Sequence, residues 1–161
     1  MKKILLVEPA YKTKFAPLGL MRISSYHKSE GDVVSFIKGE QKLDFTPDKI
    51  YITSLFTYRY KETLKSVRFY KKQFPKAEII IGGVLATLMP DLFRKEGIKV
   101  HIGLLKEVET YPPDYDLIED IDYSLTFTSR GCKNKCGFCV PQSANVLLEQ
   151  GFEKINDLDC E

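Results

Sequence analysis

Three cysteines stand within eight positions of one another: Cys132, Cys136 and Cys139, spaced CxxxCxxC. Thiolates this close in sequence can wrap three corners of one cubane, and soft thiolates select zinc or iron–sulfur centres. A zinc ribbon repeats a two-residue gap, and the three-residue first gap departs from that pattern. Three ligands leave one iron open to an external ligand, and an open position separates a reactive metal site from a structural one. Cys160 is available as a fourth thiolate, and with it the set suits a closed structural zinc site. No cysteine occurs in the first 131 residues. A disulfide framework spreads its cysteines across the fold, so this clustering points to a metal site in a reducing, cytoplasmic compartment.

The cysteine segment needs elements to position it, and the preceding chain alternates between strand and helix. Lys3–Val7 is an almost unbroken apolar run, as expected of a strand buried on both faces of a parallel sheet. Leu18, Leu20, Met21, Ile23 and Tyr26 recur at helical spacing and stop before Gly31. Val33–Ile37, Lys49–Leu55, Ala77–Ile81 and Lys99–Ile102 read as four further strands. Arg59–Phe74 reads as an amphipathic helix with a solvated basic face, and Val84–Glu96 as a helix kinked or restarted at Pro90. The order is strand, helix, strand, strand, helix, strand, helix, strand. It predicts an α/β, Rossmann-like, doubly wound and mostly parallel sheet over residues 1–107. Tyr111-Pro112-Pro113-Asp114 favours extended chain, which places a linker at 108–123 and a second unit at 124–161. Tyr123–Thr128 alternates like a strand leading into the cysteines, and Ala144–Gln150 suits one short helix.

Composition narrows the partners. The 161 residues are 43% hydrophobic and 29% charged, the balance of a globular protein. The net charge of +2 lends no electrostatic support to nucleic-acid binding. No apolar run approaches the ~20 residues of a membrane span, and Ile4–Val7 is shorter than the apolar core of a signal peptide. Neither a membrane nor a nucleic acid is therefore expected as partner. Ser54 and Thr57 follow a strand and either line a cofactor crevice at the sheet's carboxyl edge or form a polar loop rim. Gly82-Gly83 either makes a tight strand-to-helix turn or lets a flat cofactor approach the backbone.

The string Ser129–Cys139 resembles the cluster-binding loop of radical S-adenosylmethionine (radical SAM) enzymes, which follows the first strand of a β/α barrel. Pro17-Leu18-Gly19-Leu20, Gly82-Gly83 and Ile102-Gly103…Glu107 are similar to the cobalamin-binding domain that precedes the barrel in one large subgroup. The resemblance implies that Cys132, Cys136 and Cys139 hold a [4Fe–4S] cluster whose fourth iron takes S-adenosylmethionine, with Phe138 beside the adenine. It implies reductive generation of a 5′-deoxyadenosyl radical, with an electron donor such as flavodoxin or ferredoxin. It also leaves cobalamin open as a third cofactor near Ser54, Thr57, Gly82 and Gly83, since some members carry the domain without it. The loop Glu8–Gly19 contains no histidine, so a histidine lower ligand on cobalt is not expected. His27 and His101 lie outside that loop and read as ordinary surface or core residues.

A β/α barrel takes about 200–250 residues, and only 22 follow Cys139. The chain is therefore expected to work with a C-terminal barrel supplied in cis or in trans, and not to turn over a substrate alone. The competing class is a non-catalytic binding module that holds cobalamin, or a structural zinc through Cys132, Cys136, Cys139 and Cys160.

Overall fold

A computed structural model of the chain describes residues 1–119 and 121–125. Five strands are named here in chain order: β1 (Lys3–Glu8), β2 (Val33–Lys38), β3 (Lys49–Thr53), β4 (Glu78–Gly82) and β5 (Lys99–Val100). They form one sheet in the order β2-β1-β3-β4-β5, parallel at every pairing. This is a doubly wound α/β arrangement whose strand order reverses between β1 and β3. Helices α1 (Leu18–Ser29), α2 (Tyr60–Gln73), α3 (Val84–Leu88) and α4 (Asp91–Arg94) make the crossovers. Among the described residues no helix is long and apolar enough to cross a membrane.

Periodicity explains which face each element buries. Ile4, Leu5, Leu6 and Val7 of β1 are all fully buried, because successive side chains point to opposite faces and both faces are covered. Leu5 and Val7 join Ile50, Ile52, Ile79 and Ile81 under α2, α3 and α4. Val67 and Tyr70 of α2 and Phe93 of α4 close that core. Ile4 and Leu6 instead meet Leu20 of α1 on the opposite face, with Phe36 and Tyr51 packed alongside.

Element ends differ from the sequence expectation, mostly by one residue, and at the third strand for a local reason. The third strand ends at Thr53 rather than Leu55, because Ser54 turns to bond across the strand ends. Its hydroxyl donates to the Gly82 carbonyl at 2.7 Å and accepts from the Ala86 amide at 3.0 Å. Of the two outcomes expected at Pro90, the helix over 84–96 restarts, as two short helices separated at Met89-Pro90, since proline cannot continue the hydrogen-bond ladder. The last strand is only two residues long, ending before His101.

The proline-rich stretch after β5 lies against α1 as a strap. Asp114 is buried there, accepting from Ser24 at 2.5 Å and pairing with Lys28 at 2.7 Å. Arg22 pairs with Glu109 at 3.0 Å, and the rings of Tyr26 and Tyr111 meet edge to face. Burial pushes the Asp114 carboxyl up, but the bonds from Lys28 and Ser24 outweigh it and hold its pKa below the ordinary value. A depressed carboxyl contributes stability above its unfolded pKa of about 3.9 and loses it as pH falls through the folded value. Hydrogen exchange is therefore expected to show residues 108–118 protected at pH 5, with protection lost progressively as the pH falls below about 4 and through the lower folded value. Asp114→Ala should release them at neutral pH, leaving the buried Ser24 hydroxyl without its acceptor at a cost of about 1–3 kcal/mol. Equal protection of this stretch in the variant would refute the latch.

Candidate functional site

The carboxyl edge of the sheet is where α/β folds of this kind hold ligands. Here the crevice at the β1/β3 switch point is filled from within. Tyr11 is buried, its ring packs on Phe56 at 5.3 Å, and its hydroxyl engages Thr53 and the Leu55 backbone. Burial, then the neighbouring Glu8, raises its pKa, so it remains a neutral phenol. Glu8 at the end of β1 is also buried and pairs with Lys38 at 3.2 Å. Its carboxyl is pushed up by burial against the opposing pull of Lys38.

Around this plugged crevice the edge is apolar and exposed. Phe15 follows β1, Leu55, Tyr58 and Tyr60 follow β3, and Val84 and Met89 follow β4. These are six of the eight large exposed apolar residues among those described, and Phe15 and Tyr58 are 68% and 71% accessible. Apolar side chains gathered on one edge mark an interaction surface rather than scatter. The described chain also ends there. The Tyr123 hydroxyl accepts from the Ala16 amide at 3.0 Å and donates to the Lys14 carbonyl at 3.3 Å, in the loop after β1. The Leu125 amide donates to the Tyr115 hydroxyl at 2.8 Å. The chain thus leaves the described part at the apolar edge.

A groove of about 830 Å³ opens on the α1 side of the sheet. Parallel sheets are normally covered on both faces. α1 reaches β3 on this side, but over β4 and β5 the described residues supply only the segment 103–109, with its 3₁₀ turn Lys106–Val108, as a wall. Ile80, Leu20, Ile23 and Leu104 give it an apolar body. Gly82, Gly83 and Gly103 line one end, and Lys49 and Tyr51 the other. The Lys49 end is ordered by a chain of hydrogen bonds. Asp32 accepts from the Lys2 amide at 2.7 Å, and its other oxygen lies 2.9 Å from His27 Nδ1. His27 Nε2 lies 3.1 Å from the Tyr51 hydroxyl. The Lys2 amide, then His27, holds the Asp32 carboxyl below its usual pKa. In the tautomer that carries its proton on Nδ1 toward Asp32, Nε2 accepts from the Tyr51 hydroxyl, whose pKa burial raises.

The sequence-derived residues fall in different places. Gly82 and Gly83 line the groove, whereas Ser54 is fully buried behind them, its hydroxyl committed to Gly82 and Ala86. Gly83 has φ +106°, and a Cβ there would sit 2.6 Å from the Ser54 carbonyl oxygen. Thr57 opens an exposed 3₁₀ turn (Thr57–Arg59) away from the groove. Cys132, Cys136, Phe138, Cys139 and Cys160 lie outside the described residues, as does the helix expected over Ala144–Gln150. Among the described residues no cluster of His, Cys, Asp and Glu has the makings of a metal site. His27, read as ordinary from sequence, is the buried centre of the groove's polar chain. The signal was faint: His27 and Asp32 flank the end of α1, but Tyr51 is 24 residues further on.

No family model matches the chain, and no curated protein matches it. Among solved structures it is similar to the radical S-adenosylmethionine methyltransferase TsrM from Kitasatospora setae, solved with tryptophan and aza-SAM bound. The two are 19% identical over 61% of this chain, with a TM-score of 0.47. The chain spans 22% of that protein's length.

Proposed function

We propose that this chain is the N-terminal part of a radical SAM enzyme of the subgroup with a cobalamin-type domain. The observation that carries the reading is the CxxxCxxC string, which begins seven residues beyond Leu125. At 3.3–3.6 Å per residue, Cys132 lies within about 25 Å of a chain exit at the apolar carboxyl edge. A cluster loop, the apolar edge and the glycine-lined groove are therefore within reach of one another. The donor set suits the cluster: three soft thiolates, Cys132, Cys136 and Cys139, leave one iron open. When bound, such a cluster supplies the electron that cleaves S-adenosylmethionine reductively. Phe138 is assigned to the adenine. The apolar edge is assigned to the catalytic barrel, in cis or in trans, and a cytoplasmic flavodoxin or ferredoxin to electron delivery.

Cobalamin is tested against the residues present. The groove has the volume of a cofactor site, and Gly82 leaves its end open, with the space of a Cβ there 3.7 Å from His101. Gly82 and Gly83 are assigned to contact the nucleotide tail, with Ser54 supporting them and Thr57 on the outer rim. The loop Glu8–Gly19 offers no histidine to cobalt, so no histidine lower ligand is assigned.

Anaerobic reconstitution with iron and sulfide tests the reading. The expected product is brown, with the magnetic resonance spectrum of its reduced form altered by S-adenosylmethionine. A colourless protein that binds one zinc instead would overturn it in favour of the structural metal module.

A further inference from the structure

We infer that the solvent face of α2 is a docking surface for a protein that presents an acidic patch, and that the electron carrier assigned above is that partner. The identity of the partner rests on the radical SAM reading; the surface itself does not. Lys61, Lys65, Arg68 and Lys72 stand at i, i+4, i+7 and i+11, so all four project from one face of the helix, and all are exposed. The opposite face, with Thr63, Ser66, Val67 and Tyr70, is buried. Arg59, Lys71 and Lys76 add to the row, making seven cations from Arg59 to Lys76. Three carboxylates answer them: Glu62 pairs with Arg59 at 2.8 Å, Glu40 with Lys65 at 2.7 Å and Glu96 with Arg68 at 2.6 Å. The helix and the carboxylates that pair with it thus carry a net charge of +4, against +2 for the whole chain. The basic excess of the protein is concentrated here, and the remainder is net acidic. Lys61, Lys72 and Lys76 make no ion pair among the described residues.

The pattern of free and paired cations selects among anionic partners. A membrane surface requires apolar side chains that insert, and the apolar face of α2 is spent on the core through Val67 and Tyr70. A nucleic-acid strand would lay its phosphates along the row, one every few ångströms. Pairing with Glu40 and Glu96 occupies Lys65 and Arg68, and the free cations Lys61 and Lys72 are about 16 Å apart along the helix. That row is too sparse to follow a strand. Anchors so far apart suit a folded surface, since a standard interface of about 800 Å² per partner is broader than their separation. A protein can also set its own cations beside Glu40 and Glu96, which a phosphate chain cannot. The position favours the carrier. The helix α2 follows β3 and so begins at the carboxyl edge, where the described chain ends, and a carrier seated on its first turns stands at the edge from which the cysteine segment departs.

The test is calorimetric titration of the 161-residue chain with a flavodoxin as the acidic probe. Binding is expected at low ionic strength, with affinity falling about ten-fold or more as salt is raised to about 0.5 M. The triple variant Lys61→Glu, Lys72→Glu, Lys76→Glu should lose at least about ten-fold in affinity. It is expected to melt like the unaltered chain, because it breaks no described ion pair. The triple variant Lys12→Glu, Lys14→Glu, Lys106→Glu changes the net charge by the same amount away from α2, and should stay within about three-fold of the unaltered chain. Equal loss in the two variants, or no binding to the unaltered chain, overturns the inference. So does a single-stranded RNA oligomer that binds more tightly than flavodoxin and is lost in the α2 variant. Colour on anaerobic reconstitution separates this outcome from that of the radical SAM reading. A brown protein that ignores flavodoxin sinks the docking surface and leaves the reading standing. A colourless zinc protein that binds flavodoxin through α2 upholds the surface and sinks the reading.

Discussion

Replacing Cys132, Cys136 or Cys139 by Ala is expected to abolish iron binding on anaerobic reconstitution, while Cys160→Ala leaves it intact. In the proposed site each of the three thiolates holds one corner of the cluster, so the loss of any one leaves an iron without its protein ligand. Iron and sulfide analysis, read with the visible spectrum, checks it. Cys160 lies 21 residues beyond Cys139 and outside the string. Loss of metal in Cys160→Ala as complete as in the other three would favour a four-thiolate structural site. Retention of a full cluster in Cys136→Ala would remove the radical SAM reading at its root.

Gly83→Ala is expected to destabilise the domain by about 2–6 kcal/mol, whereas Gly82→Ala costs at most about 1 kcal/mol. At Gly83 two terms add. Its backbone, φ 106° and ψ −174°, lies in a region that only glycine occupies readily, worth about 1–3 kcal/mol. The new Cβ would also meet the Ser54 carbonyl oxygen at 2.6 Å and two more Ser54 backbone atoms at 3.1 Å. Those atoms cannot turn aside like a side chain, because Ser54 oxygen accepts from Leu85 at 3.0 Å and the Ser54 amide donates to Gly82 at 2.8 Å. Overpacking of this kind costs about 1–3 kcal/mol. Against a typical total of 5–15 kcal/mol, the melting temperature should fall by about 10 °C or more. At Gly82 a Cβ finds ordinary contact at 3.7 Å from His101, so folding survives, but the groove's open end narrows. Gly82→Ala should therefore melt like the unaltered protein and bind cobalamin more weakly. A Gly83→Ala protein that melts normally would show that the β3 and β4 ends move apart more easily than their hydrogen bonds imply.

The two glycines illustrate how much of the site was legible in the chain. Adjacent glycines after an apolar strand announce a position where side chains are excluded, but the sequence left open whether a ligand or the protein does the excluding. The packing separates them: the Ser54 backbone excludes a side chain at Gly83, and the groove runs past Gly82. Tyr11 was not legible, and His27 only faintly. Tyr11 sits in a loop with no period to mark it as core, and it is buried because the β3 loop brings Phe56 over its ring. His27 became part of a polar chain only when the crossing of α1 over the sheet set it beside Tyr51.

What the sequence determined by itself was local chemistry and local periodicity. The cysteine spacing depends on residues a few positions apart. The alternation of apolar strands with amphipathic helices announces a parallel sheet, because a parallel pair requires a crossover that the helices supply. Tertiary structure alone decided the rest. It filled the switch-point crevice with Tyr11, latched the proline-rich strap onto α1 through Asp114, and left the sheet face beyond α1, over β4 and β5, open as a groove. These depend on contacts between residues 24 to 90 positions apart. No spacing rule encodes such contacts. They form when burial of the two apolar faces of β1 fixes where every other element must lie.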